Sequence, residues 1–274
     1  MKKIYVFMII LFIVISTSTS TNIFADSEPQ DKQVSPWENV PPELAQIKNL
    51  GGGITQVGNI IVDENKKEVR VPGHLNMLEG PIEFIACTKG GMKSYESVLE
   101  MDTNAICFNL SMILLGLDPK KGKASAFHFD PSPPQGDSVE ISIQWNTDKK
   151  TKTITAQELV HNITTGKTLQ ADRWSYTGSI FLEDGRYLAE DAGVLIGFVH
   201  EPASIIESHF SGKFPSYGTY VVNKDLLLEV GTEIQMVIRP VEIDEEKKHE
   251  GGNNLPELTG QVEKQNEKAN LGTD

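Results

Sequence analysis

In Val139-Glu140-Ile141-Ser142-Ile143-Gln144-Trp145 apolar and polar residues alternate without a break. That period of two predicts a strand with one face on a core and the other in water. Similar β-rich runs, bounded by Gly, Pro or Asp, lie at 82–88, 95–101, 174–182, 194–200 and 233–239. The runs 57–63 and 68–71 flank Glu64-Asn65-Lys66-Lys67, which reads as a hairpin. Helical signals are fewer. Asp102 or Thr103 can N-cap a helix that Gly116 ends, with Pro119 just beyond. Its body, from Ala105 to Leu115, is apolar on nearly all sides, which predicts a helix buried between layers. Thr155 and Glu158 form a capping box opening a short helix through His161, and 202–207 adds one more turn. Helices enter between strands without regular alternation. The expected class is therefore α+β: a single strand-rich domain of mostly antiparallel sheet, packed on one buried helix plus one or two short helices.

The flanks differ from this centre. Lys2 and Lys3 precede a twelve-residue apolar run, Ile4 to Ile15, then a Ser/Thr stretch, with Ala25 as a cleavage point. Residues 1–25 read as a signal peptide, since twelve residues of helix reach only ~18 Å across a ~30 Å hydrocarbon core. Residues 26–55 are Pro-, Gly- and polar-rich and read as a linker or strap, with a helical candidate at 41–50 and a break at Gly51-Gly52-Gly53. Residues 243–274 hold eight acidic and four basic side chains and few apolar ones, so they read as a disordered acidic tail. The folded unit is expected at 56–242. The expected product is a soluble protein, secreted or periplasmic, with no membrane span once the signal is removed.

Across all 274 residues the formal net charge is −13, which argues against a nucleic-acid partner needing a basic surface. Two cysteines are too few for a disulfide-dense mini-fold or a four-cysteine metal site within one chain. Outside the cytoplasm Cys87 and Cys107 can form a disulfide worth ~3 kcal/mol in the chain-entropy model; two separate buried thiols are the alternative.

Motifs for known chemistry fail on spacing. Gly116 and Gly122-Lys123 do not make a phosphate loop, because Ala124 stands where a hydroxyl is required. No G-x-S-x-G is present, and His200-Glu201 lacks a second histidine four residues from the first. His128-Phe129-Asp130 has ligand-type side chains but leads into the Pro131-Ser132-Pro133-Pro134 loop. No metal site and no cofactor are expected. One segment, Glu79 to Val98, is denser in polar groups than a core strand pair needs, with Gly90-Gly91 as a turn. Strand alternation there places Glu96 on the face of Val98, so a core-facing Val98 makes Glu96 a partly buried carboxylate with Lys93 or Lys89 as partner. Glu96, Lys93 and Glu83 are the candidate catalytic groups.

Here the chain resembles the YdjY-like domain family of exported bacterial proteins. The likeness rests on Glu79-Gly80-Pro81-Ile82-Glu83, on Lys93 through Glu96-Ser97, and on Leu114-Leu115-Gly116-Leu117-Asp118-Pro119. It continues through Gly136-Asp137-Ser138-Val139, Glu158-Leu159-Val160, Thr165-Gly166-Lys167, Trp174 to Ser179 and Gly231-Thr232, covering 56–240. Members often carry a histidine before the glutamate, where this chain has Tyr95. Some are labelled ferredoxin-like or iron–sulfur proteins, but a cubane wants about four thiolates. Trp174 and Tyr176 stand as candidate ligand contacts. The expected function is a non-catalytic module binding a partner protein or small ligand of the cell envelope. The alternatives are an envelope enzyme using Glu96 with Lys93, to which the Arg173-Trp174 or His200 region adds a third group, and a metal-binding or redox accessory protein.

Overall fold

The first strands follow the local pattern closely. In the computed structural model, which describes residues 47–241 except 149, 171–172 and 210–212, β1 (Ile47–Gly51), β2 (Ile54–Val57), β3 (Ile60–Asp63) and β4 (Glu68–Leu75) form an antiparallel ribbon. The hairpin expected at 64–67 is present, with Asp63 opposite Glu68. The run 57–63 is split at Gly58 and Asn59 into two strands. Residues 47–55, read as linker, are in fact β1, the turn at Gly52-Gly53 and the first half of β2; the helical candidate over 41–50 is strand from Ile47, and 41–46 lie outside the described residues. The signal and the acidic tail also fall outside them.

Next come β5 (Phe84–Thr88) and β6 (Ser97–Met101), then α1 (Ala105–Leu115). The middle holds β7 (Asp137–Asn146), β8 (Thr151–Thr155), β9 (Val160–Asn162), β10 (Lys167–Thr168) and β11 (Trp174–Tyr176). The chain continues through α2 (Leu188–Ala192), β12 (Val194–Gly197), β13 (Ile206–Ser208), β14 (Tyr220–Val222) and β15 (Glu233–Pro240). The capping box at Thr155 and Glu158 is formed, but opens a 3-10 turn (Ala156–Leu159) that passes directly into β9.

The α+β expectation is overturned. Strands dominate, and eight of them close into a barrel in the order β4-β15-β7-β11-β13-β12-β5-β6, with β6 returning to β4. Pairings are antiparallel except β12–β13 and β5–β6. There is thus no open sheet layer for a helix to lie on; side chains fill the interior, as eight strands require. The alternation in β7 points Val139, Ile141, Ile143 and Trp145 into that interior.

Closure depends on β4 having more length than one neighbour can use. Its first half pairs with β3 through Arg70, and its second half pairs with β6 from Gly73 onward. At the seam a β-carbon on Gly73 would overlap the Glu100 carbonyl oxygen and stand 2.8 Å from Met101 Sδ, so only glycine allows β6 this close.

Helix α1 packs on β2, β3, β4, β12 and α2, and Tyr176 of β11 donates its hydroxyl proton to Asn109 Oδ1 at 2.6 Å. Strands β4, β11 and β12 belong to the ring and β2 and β3 to the ribbon that extends from it, so the helix joins the ribbon to the barrel rather than lying between two sheet layers. Its N-cap is Asn104, one residue beyond the expected pair, and Oδ1 accepts from Cys107 N–H at 2.7 Å. Glu190 of α2 accepts from Ile106 N–H at 3.0 Å, adding a second, distant cap. Gly116 ends the helix in the left-handed region, as expected. Among the described residues, no helix is long and apolar enough to cross a membrane.

Candidate functional site

Glu83 lies just before β5, and the backbone holds it from both sides. Its N–H donates to Glu96 O at 3.0 Å, and its carbonyl accepts from Phe198 and Val199 N–H at 3.3 and 3.2 Å. The side chain is buried. His128 reaches it from the loop between α1 and β7, its Nε2 3.2 Å from Glu83 Oε2. On the other side of the imidazole, Nδ1 lies 2.7 Å from Glu201 Oε2. Both ring nitrogens face carboxylates, so both donate only in the imidazolium form. The bond to Glu201, then the bond to Glu83, overcome partial burial and push His128 up to about 9.

The loop is built to present this ring. Asp130 carboxylate oxygens accept from Ala126 N–H at 3.0 Å and Ser132 N–H at 2.9 Å, and these bonds hold its pKa below the usual range. Phe129 adopts φ 65°, a left-handed conformation costing an aromatic residue about 1 kcal/mol or more. Its N–H donates to His200 O at 3.0 Å, and its ring meets Phe214 edge-on at 5.9 Å. His200 is fully buried between the carbonyl oxygens of Asp130 and Ser208, which fixes the loop to β13.

Below the loop sits Glu207 of β13, with no exposed surface. Burial raises it to about 7, although Oε2 accepts from Ser125 Oγ at 2.7 Å and Oε1 accepts from Glu201 N–H at 2.6 Å. Glu207 therefore positions Glu201, which in turn holds His128.

Beside this row, Lys93 Nζ stands 2.7 Å from Glu96 Oε1. Burial alone would lower the lysine, but the Glu96 bond and charge outweigh it and raise it. The ammonium also lies 5.7 Å from the ring centres of Phe84 and Tyr95. The expected pair is thus present, and Glu96 is buried, but not through strand alternation. Residues 94–96 form a 3-10 turn, so the face argument from Val98 does not apply; the i,i+3 geometry of the turn brings Lys93 to Glu96. The connection through Gly90-Gly91 joins two parallel strands rather than a hairpin. Exposed Tyr95 and Tyr217 flank the pair, and burial together with the Glu96 and Glu83 charges raises Tyr217.

The structure pairs Lys93 with Glu96 and places Glu83 next to them through its N–H bond to Glu96 O. The His200 region supplies Glu201, through His128, rather than His200 itself. The one signal in the sequence for Glu207 is a charge placed directly after the run Ala203-Ser204-Ile205-Ile206. The other candidates are placed elsewhere. Trp174 and Tyr176 are fully buried in the barrel core, so they are not surface ligand contacts. Cys87 and Cys107 are buried thiols, not bridged to each other: Cys87 Sγ faces Leu99 O on β6, while Cys107 sits on α1 beside Gly58. Arg173 donates to His209 Nε2 at 2.8 Å, which puts the ring proton on Nδ1, pointing at Ser175 Oγ 3.2 Å away. That tautomer cannot take a proton from Ser175, so the pair is no nucleophile.

The two carboxylates bonded to His128 lie on opposite ring nitrogens and cannot share one ion with it. Among the described residues no group of three or more His, Cys, Asp or Glu side chains is arranged to hold a metal. The space beside Glu83, lined by Phe129, Phe214 and Tyr217, amounts to about 10 Å³, no more than a single water needs.

The model of the YdjY domain matches residues 60–239, which takes in the barrel strands except the last residue of β15, and the whole Glu83–His128–Glu201 row. No curated protein and no solved structure matches the chain. The match spans well over half of the sequence, and on that ground the chain belongs to the YdjY domain family.

Proposed function

We propose that this protein is an exported, non-catalytic binding module of the cell envelope. One observation carries the reading: the titratable side chains that converge are satisfied by one another, with no room for a substrate among them. His128 is held at both nitrogens, Glu96 by Lys93, and Glu207 by Ser125 and Glu201 N–H. General acid–base catalysis needs such a group within reach of a reacting atom, and here the reach is filled by protein. The region 1–25, with Lys2, Lys3 and its apolar run, supports export. The contact face is the exposed set Met92, Tyr95 and Tyr217, 67%, 63% and 60% exposed, over the Lys93–Glu96 pair. Aromatic side chains exposed beside a fixed charge pair suit recognition of a partner.

The test places a photo-crosslinking amino acid at Tyr95, Tyr217 or, as a control on the distant β1, Ile47 in the full chain expressed in its native cells. A discrete adduct from Tyr95 and Tyr217, absent from Ile47, is the expected result. Equal labelling from all three positions overturns the binding face. Turnover of any substrate that disappears in Glu83→Gln overturns the non-catalytic reading.

A further inference from the structure

A second surface, on the outer wall of the barrel, is built differently. Strands β4, β15 and β7 run side by side in register, so that Pro72, Gln235 and Gln144 form one row across them. Their inward neighbours Val71, Met236 and Ile143 are buried in the core, which turns this row outward. Over the row lies a groove of about 540 Å³, within the range of small-ligand sites. Asp102 and Glu233 stand at its rim with Asn146 and Thr151 of the β7–β8 turn.

Gln144, Gln235 and Asp102 keep unused hydrogen-bonding capacity here, while Thr151 Oγ1 donates to Asn146 Oδ1 at 2.8 Å. Gln144 lines the groove; its Oε1 accepts from Arg70 Nη1 at 3.3 Å, and its NH₂ has no hydrogen-bond partner among the described residues. Gln235 makes no side-chain hydrogen bond among those residues. Asp102 is fastened by its backbone, N–H to Pro72 O at 2.9 Å and carbonyl to Asn59 Nδ2 at 3.0 Å, while its carboxylate accepts nothing. Glu68 is shared by Arg70 at 2.7 Å and Arg239 at 2.6 Å, and Glu140 stands 3.7 Å from Arg239, so the two guanidinium charges are balanced by two carboxylates and offer an anion no surplus. An anionic ligand would meet Asp102 and Glu233 instead. The apolar lining is Pro72, Ile234 and Trp145, the last two only 5% and 6% exposed, so a greasy ligand gains little here. What fits is a ligand whose groups both donate and accept: hydroxyls, read by two amides and a carboxylate able to take adjacent O–H donors.

We propose that this groove binds a neutral oligosaccharide through Gln144, Gln235 and Asp102. The inference is independent of the Tyr95–Tyr217 face. The test titrates ¹⁵N-labelled full chain with chitotetraose, maltotetraose and tetralysine, following the side-chain NH₂ signals of Gln144 and Gln235. Saturable shifts of both amides with at least one sugar are expected, together with an affinity loss of about tenfold or more in the Gln144→Leu/Gln235→Leu double variant. If that variant does not fold, Asp102→Asn serves in its place, with the same expected loss. Absence of shifts with both sugars overturns the proposal, as does sugar binding that survives the substitutions. Shifts with tetralysine alone overturn it too, and assign the groove to a cationic peptide.

Discussion

Gly73 of β4 and Glu100 of β6 meet backbone to backbone at the seam of the barrel, with no space for a β-carbon between them. Gly73→Val must therefore push β6 away, and closure is lost where the two strands pair. Overpacking of this kind costs on the order of 1–3 kcal/mol, and the opened seam adds to it. Urea unfolding is expected to show a larger drop in midpoint for Gly73→Val than for Gly90→Ala, whose β-carbon meets nothing within 4 Å and carries only the strain of a left-handed backbone.

The His128 row makes stability depend on pH in the neutral-to-alkaline range. Its folded pKa of about 9 lies above the ordinary 6.5, so the contribution is complete below pH 6.5 and is lost as pH rises through 9. Melting temperatures recorded from pH 6 to 10 are expected to fall for the native chain. In His128→Asn that part of the decline disappears.

Glu207 acts on the acid side of the same range. Burial raises it to about 7 from 4.5, so the folded protein holds a proton there that the unfolded chain has released. Stability consequently falls as pH climbs from 4.5 to 7, by up to about 3 kcal/mol. Glu207→Gln carries no such penalty: its stability relative to the native chain should improve between pH 5 and pH 8, read by denaturation at each pH.

Lys93 and Glu96 are expected to behave as one unit. Lys93→Met leaves a buried carboxylate without its ammonium, costing about 1–3 kcal/mol. The Lys93→Met/Glu96→Gln double variant removes the stranded charge and recovers part of the loss. A double-mutant cycle by denaturation measures this coupling, and additive losses would contradict it.

The thiols give a simple readout of the intact barrel. Burial raises Cys87 to about 11 and raises Cys107 as well, so little thiolate forms at neutral pH. Alkylation by iodoacetamide at pH 7.5 is expected to wait on unfolding, with both cysteines labelling together in denaturant.

Local features were legible in the sequence because their causes are local. The alternation of β7, the turn at 64–67, the Thr155 capping box and the Gly116 helix stop each depend on a few neighbouring residues. Closure into a barrel was not legible, since it rests on pairings such as Val194 with Cys87 and Met101 with Gly73, far apart in the chain. Two staves, Trp174–Tyr176 and Ile206–Ser208, are only three residues long, too short for a period to show. The site was half visible for the same reason. Lys93 and Glu96 sit within one turn, whereas Glu83, His128 and Glu201 arrive from three separate segments and meet only through the fold.

One stave joins the ring last. Strand β15, the final strand among the described residues, lies between β4 and β7 and pairs with both along most of its length. Until residue 240 has been synthesised, those two long strands each carry an unsatisfied edge, and no earlier segment stands in for the missing one. A nascent or C-terminally shortened chain is therefore an adhesive intermediate, prone to pair with its own kind, and the protein becomes self-contained only when its closing strand slots home.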